Sequence, residues 1–103
     1  MNEADRNLWN GWRELQDGHA FETLVQPHLR FAHDIARRWG CSDADADDVV
    51  QDALARLAQE PSTRPVEVGL RAWLGREVSL RARMQRRSEG RRHRRERKVG
   101  ARR

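Results

Sequence analysis

The chain has 103 residues, 37% of them apolar and 36% charged, with a formal net charge of +5. That length allows one domain with a modest core, and so polar a mixture leaves part of the chain solvated. No run reaches the roughly 18 consecutive apolar residues of a membrane span, and the start, MNEADRNLWNGW, lacks the apolar stretch of a signal peptide, so a cytoplasmic protein without a membrane partner is expected.

Helix signals dominate in chain order, while Val, Ile and Thr are sparse, Tyr is absent and no period-two alternation persists. A first helix is predicted from Glu3 to Leu15, with Leu8, Trp9, Trp12 and Leu15 on one face and Gly18 as its stop. A second runs from about Ala20 to Trp39, interrupted by Pro27, so that a kink or break is expected near Val25 and Gln26. Gly40 ends it. The single cysteine, Cys41, excludes an internal disulfide and a cysteine-based zinc site and reads as a small apolar residue near a helix start.

Ser42 is the expected N-cap of a third helix reaching about Gln59, with Val50, Ala53, Leu54, Leu57 and Ala58 as its buried stripe. EPSTRPV, with two prolines, reads as a loop. A last helix is predicted from near Val66, packing through Leu70, Trp73, Leu74 and Val78, with the apolar period fading beyond Leu80. The fold class is all-α, a small orthogonal bundle of about four helices over residues 1–90, followed by a basic, partly disordered and flexible arginine-rich tail over 91–103.

Charge is segregated along this plan. Residues 1–70 carry 13 acidic residues against 7 arginines, whereas residues 71–103 carry 14 basic residues against 3 glutamates. An acidic body with a basic end implies two different partners. All basic residues but Lys98 are arginine, whose planar fork grips phosphate in bidentate fashion. The arginines from Arg71 to Arg87 continue a packed helix and so can be held in register on DNA, whereas the tail suits sequence-independent phosphate contact.

Five aspartates fall within SDADADDVVQD, residues 42–52. Asp43, Asp45 and Asp47 occupy the first turn, where backbone N–H groups and the macrodipole favour negative charge by about 0.3–1 kcal/mol each. Asp48 and Asp52, at i and i+4, repel by a few tenths of a kcal/mol and share a stripe with Gln51 and Ala55 opposite the apolar face, which reads either as a surface kept acidic for a basic partner or as a plain solvated face. The calcium-loop pattern fails here, because its sixth position, which must be glycine, is Asp48 and its twelfth, which must be glutamate, is Leu54. The histidines have no metal-ligand spacing, and no nucleophile and base pair or phosphate-binding glycine loop occurs, so neither a metal, a cofactor nor catalysis is indicated.

GHAFETLVQPHLRFAHDIARRWG, DADDVVQDALARLAQE and LRAWLGREVSLRARMQRRSEGRRHRRERK resemble, in this order and spacing, region 2 of an extracytoplasmic-function sigma factor of the sigma-70 family, over roughly Asp17 to Lys98. The resemblance implies that the acidic helix docks on core RNA polymerase, against the clamp helices of its largest subunit, through Asp48, Gln51, Asp52, Ala55 and Arg56. It implies that the last helix and the connection before it recognise and melt the promoter minus-ten element and trap a flipped base of the non-template strand. The matching residues are Ser62, Thr63 and Arg64 in the connection and Arg71, Arg76, Arg81, Arg83, Arg86 and Arg87 on or after the helix; Trp73 matches a core position. An anti-sigma factor is a further implied partner. Leu80 and Met84 stand where many members have Asn and Asp, and Gly75 where an aromatic is frequent, so base contacts of the usual kind are not expected. The domain that reads the minus-thirty-five element in the family has no counterpart in these 103 residues. The alternative from a different class is a small helical nucleic-acid-binding or interaction protein acting through its arginine tail alone.

Overall fold

The computed structural model describes residues 2–101, with side chains described for residues 2–88. Among the described residues the chain is mostly helical, without strands: α1 is Glu3–Leu15, α2 Gly18–Val25, α3 Leu29–Arg38, α4 Asp43–Ala58, α5 Arg64–Val68 and α6 Leu70–Ala101, with a 3-10 turn at Gln26–His28 between α2 and α3. The expected flexible tail, residues 91–103, lies outside the residues with described side chains.

Local chemistry explains most of the boundaries. Asn2 caps α1 by accepting from the Asp5 backbone N–H at 2.8 Å, and Asp17 caps α2 by accepting from His19 and Ala20. The stop of α1 is Gln16, in left-handed conformation (φ 53°), its backbone N–H bonded to Gly11 and Trp12 carbonyls. Gly18 is not the stop: it opens α2, because Asp17 supplies the cap one residue earlier than glycine chemistry alone suggests. Pro27 cannot donate a backbone hydrogen bond, and the helix breaks there into α2, the 3-10 turn and α3, as expected. Gly40 adopts φ 96° at the end of α3, a conformation open to glycine at little cost. Ser42 then caps α4, its Oγ accepting from Asp45 N–H at 3.2 Å.

Two expectations fail after α4. EPSTRPV is not loop throughout, since Arg64–Val68 forms α5 with Pro65 in its first turn, the one helical position where a missing N–H costs nothing. The last helix does not start at Val66 but at Leu70, because Gly69 (φ 97°) turns the chain between α5 and α6. Ala82 is buried as well, so the packed face of α6 extends beyond Leu80.

The core joins Trp9 of α1, Leu24 and Val25 of α2, Ala32 and Ala36 of α3, Val49, Val50, Ala53 and Leu57 of α4, Val66 of α5, and Leu70, Leu74, Val78 and Ala82 of α6. Cys41 is buried in the same cluster. The α4 stripe includes Ala46 and Val49, while Leu54 and Ala58 are only half-buried. Helix α6 seats closely on α3 at Gly75: a Cβ there would lie 3.3 Å from Ile35 Cδ1 and 3.4 Å from Phe31 Cε1. Helix α1 braces the far end of α4, Trp12 Nε1 donating to the Ala58 carbonyl at 3.2 Å and Arg13 Nη2 to the Pro61 carbonyl at 3.3 Å. That brace holds the connection leading into α5.

Candidate functional site

The five aspartates of α4 divide by what faces them. Asp47 lies 3.4 Å and Asp43 3.8 Å from His33 Nε2, and Asp43 also lies 3.4 Å from Arg37 Nε, so these two exposed carboxylates face cationic or protonatable groups of α3. Asp45 sits in the first turn, its backbone N–H held by the Ser42 cap. Asp48 and Asp52 are exposed and have no ion-pair partner among the described residues. With Gln51, Ala55 and Arg56, all exposed, they form one stripe along α4. Gln51 and Ala55 border an apolar groove of 590 Å³ whose walls include Trp12, Phe21, Val25, Leu29 and Leu54. Trp12 and Phe21 meet there with ring centroids 5.1 Å apart. The stripe was legible in the helical spacing; the groove beside it needed residues of α1 and α2 to come alongside α4, which no local pattern gives.

Arg56, at the end of the stripe, pairs with Glu60 at 3.4 Å and turns into a second cleft of 550 Å³. Its walls are Ser62, Arg64 and Val68 on one side and Trp73, Arg76, Glu77 and Leu80 of α6 on the other. Ser62 Oγ donates to Glu60 Oε1 at 3.0 Å and accepts from the Arg64 backbone N–H at 3.3 Å, which fixes the turn. Trp73 is half-buried against the core and presents its remaining surface to this cleft. The cleft thus brings an indole and small apolar groups together with three arginines and two glutamates, Glu60 and Glu77.

The other residues singled out in the sequence lie elsewhere. Thr63 donates to Glu67 Oε1 at 2.7 Å and lines a smaller cavity of 250 Å³ with Arg6 and Trp9. Arg71 donates to His28 Nδ1 at 3.3 Å and to the Pro27 carbonyl at 3.1 Å, and its guanidinium lies 4.8 Å from the Phe31 ring centroid, so it pins α6 to the 3-10 turn. Burial and the Arg71 charge, against a weaker opposite pull from Asp5, hold His28 below the ordinary histidine pKa. Arg81 lies 3.6 Å from Glu77 of its own helix. Arg83 stacks 5.2 Å from the Trp39 ring centroid, and Arg86 lies against Gly40. Arg87 is exposed. Thus Ser62, Arg64 and Arg76 converge, whereas Arg71, Arg83 and Arg86 also serve to hold α6 on the body.

An acidic stripe, an apolar groove and a cleft carrying three arginines thus lie on one helical body. The sequence matches the Sigma-70 region 2 family over residues 24–92, more than half of the chain, and the chain belongs to that family. Family membership assigns it to transcription initiation, with core RNA polymerase and promoter DNA as its partners. No curated protein and no solved structure matches the chain. Helix α1 and the first part of α2 precede the matched span, so the Trp12 and Arg13 brace belongs to sequence outside it. No helix among the described residues is long and apolar enough to cross a membrane.

Proposed function

We propose that the chain is the region 2 module of an extracytoplasmic-function sigma factor working in the cytoplasm. In this reading Asp48, Gln51, Asp52, Ala55 and Arg56 dock on the clamp helices of the largest polymerase subunit. The observation that carries it is the division of the aspartates: all four side chains are exposed, but Asp43 and Asp47 have His33 or Arg37 of α3 beside them, while the like-charged pair Asp48 and Asp52 has no cation beside it among the described residues, a small cost that a basic partner offsets. Ser62, Arg64 and Arg76 then hold the non-template strand of the minus-ten element at the second cleft, one base lodging against Trp73, with Arg81 and Arg87 further along α6 and Thr63, Arg71, Arg83 and Arg86 supporting the frame. An anti-sigma factor that masks the α4 stripe belongs to the same reading.

The test is a pull-down of core RNA polymerase by the full chain. Asp48→Arg and Asp52→Arg should each abolish capture while the helical circular dichroism and thermal midpoint stay as they were, both side chains being exposed. Undiminished capture by the charge-reversed chain refutes the docking surface. Loss of all binding on deleting residues 91–103 alone would instead favour a protein acting through its arginine tail.

A further inference from the structure

Large apolar side chains are exposed at few places among the described residues, and three of them stand together around α6. Val68 is 51% exposed, Leu80 50% and Met84 59%. Val68 and Leu80 share the 550 Å³ cleft with Trp73, and Met84 follows Leu80 by one turn on the same helix face. A single exposed apolar residue needs no explanation, but a cluster framed by cations does. Arg76 lies one turn before Leu80 on the cleft wall and Arg87 follows Met84 by three residues, so a cation stands at each end of the apolar pair along one ridge of α6.

The bracketing cations select the occupant. A protein helix docking on so short an apolar pair would meet an arginine at either end, whereas a nucleic-acid strand brings anionic phosphates to the arginines and uncharged bases to the apolar pair between them. Leu80 and Met84 have no capacity to exchange conventional hydrogen bonds with base edges. They can distinguish one base from another only by apolar contact, and among the DNA bases the thymine methyl is the group that offers it. The concavity of the cleft favours an unstacked base over the edge of a paired one, and its volume lies within the range of about 300–1,000 Å³ usual for small-ligand sites. Resting on the promoter-strand reading above, we infer that Leu80 and Met84 select thymine over other bases in single-stranded DNA by contact with its C5 methyl group, and so prefer DNA to RNA.

The experiment measures binding of the full chain, alone and with core RNA polymerase, to fluorescent single-stranded DNA carrying thymines and to the same strand with every thymine replaced by deoxyuridine. Each buried methyl should contribute about three- to fivefold in affinity, so the thymine strand should bind at least that much tighter. Leu80→Asn and Met84→Asn should each reduce the preference, the pair abolishing it, while polymerase capture and the thermal midpoint are retained. Equal affinity of the unaltered chain for both strands, or an undiminished preference in the double variant, overturns the inference and leaves the promoter reading standing. Binding of neither strand in either setting overturns the promoter reading and the inference with it. Loss of polymerase capture in the double variant, with the preference intact, assigns the row to a protein partner and also overturns the inference.

Discussion

His28 shows how a single side chain couples pH to the seating of α6. Its Nδ1 accepts a hydrogen bond from Arg71 Nε at 3.3 Å, which only the neutral ring with its proton on Nε2 can do. Burial and the neighbouring guanidinium lower its pKa in the folded chain, so as pH falls the unfolded chain takes up the proton first. Folding stability from this site is therefore present above the ordinary histidine pKa of about 6.5 and is lost as pH drops through the lowered value. Urea midpoints at pH 7.5 and pH 5.5 should differ more in the unaltered chain than in His28→Asn, and an equal difference would contradict the assignment. The aspartates give the complementary lesson at this scale. First-turn placement holds for Asp43 and Asp45, whereas Asp47, expected there too, falls beyond the first turn of α4, and the contacts of Asp43 and Asp47 with His33 and Arg37 arise from the packing of α3 beside α4, which one-dimensional spacing does not show.

At the scale of the element, the close approach of α3 and α6 depends on Gly75. Replacing it with leucine should destabilise the fold by about 1–3 kcal/mol, since the added carbons meet Ile35 and Phe31 and the helix-propensity gain is smaller than the strain; chemical denaturation measures this, and an unchanged midpoint would show that the helices part freely. Boundaries of α1, the break at Pro27 and the cap of α4 were legible because each rests on a local signal: amphipathic spacing, a missing donor, a hydroxyl at the right place. Those of α5 and α6 were not. A proline reads as a loop former, yet in a first turn it is compatible with helix, and the end of α5 depends on Gly69 as well as on the burial of Val66 against the body. The departures at Leu80 and Met84 were visible as residues, but only the cleft shows that Leu80 sits with Trp73 and Arg76.

For the whole molecule, the segregation of charge separates two modes of binding by their response to salt. Contacts of arginines with a single strand release counterions, and log K should fall with log salt at a slope of about 0.7 per phosphate neutralised. Arg64→Ala and Arg76→Ala should each reduce that slope by about that amount without touching polymerase capture, as read from titrations between low and physiological salt; an unaltered slope would remove the residue from the strand path. The all-helical class was legible at this scale from composition and periodicity. The convergence of the cleft was not, because Ser62 and Arg76 come together only through the turn at Gly69.

The tight seat of α6 also bears on which sequences can share this backbone. Positions 31, 35 and 75 fill one space between two helices, and the side chain missing at Gly75 is occupied by the ring of Phe31 and the terminal carbon of Ile35. Volume added at one of the three must be surrendered at another, so the positions vary as a set and not one by one. A library randomised at all three would yield folded members along a line of nearly constant summed volume, with an aromatic at position 75 accompanied by small residues at 31 and 35.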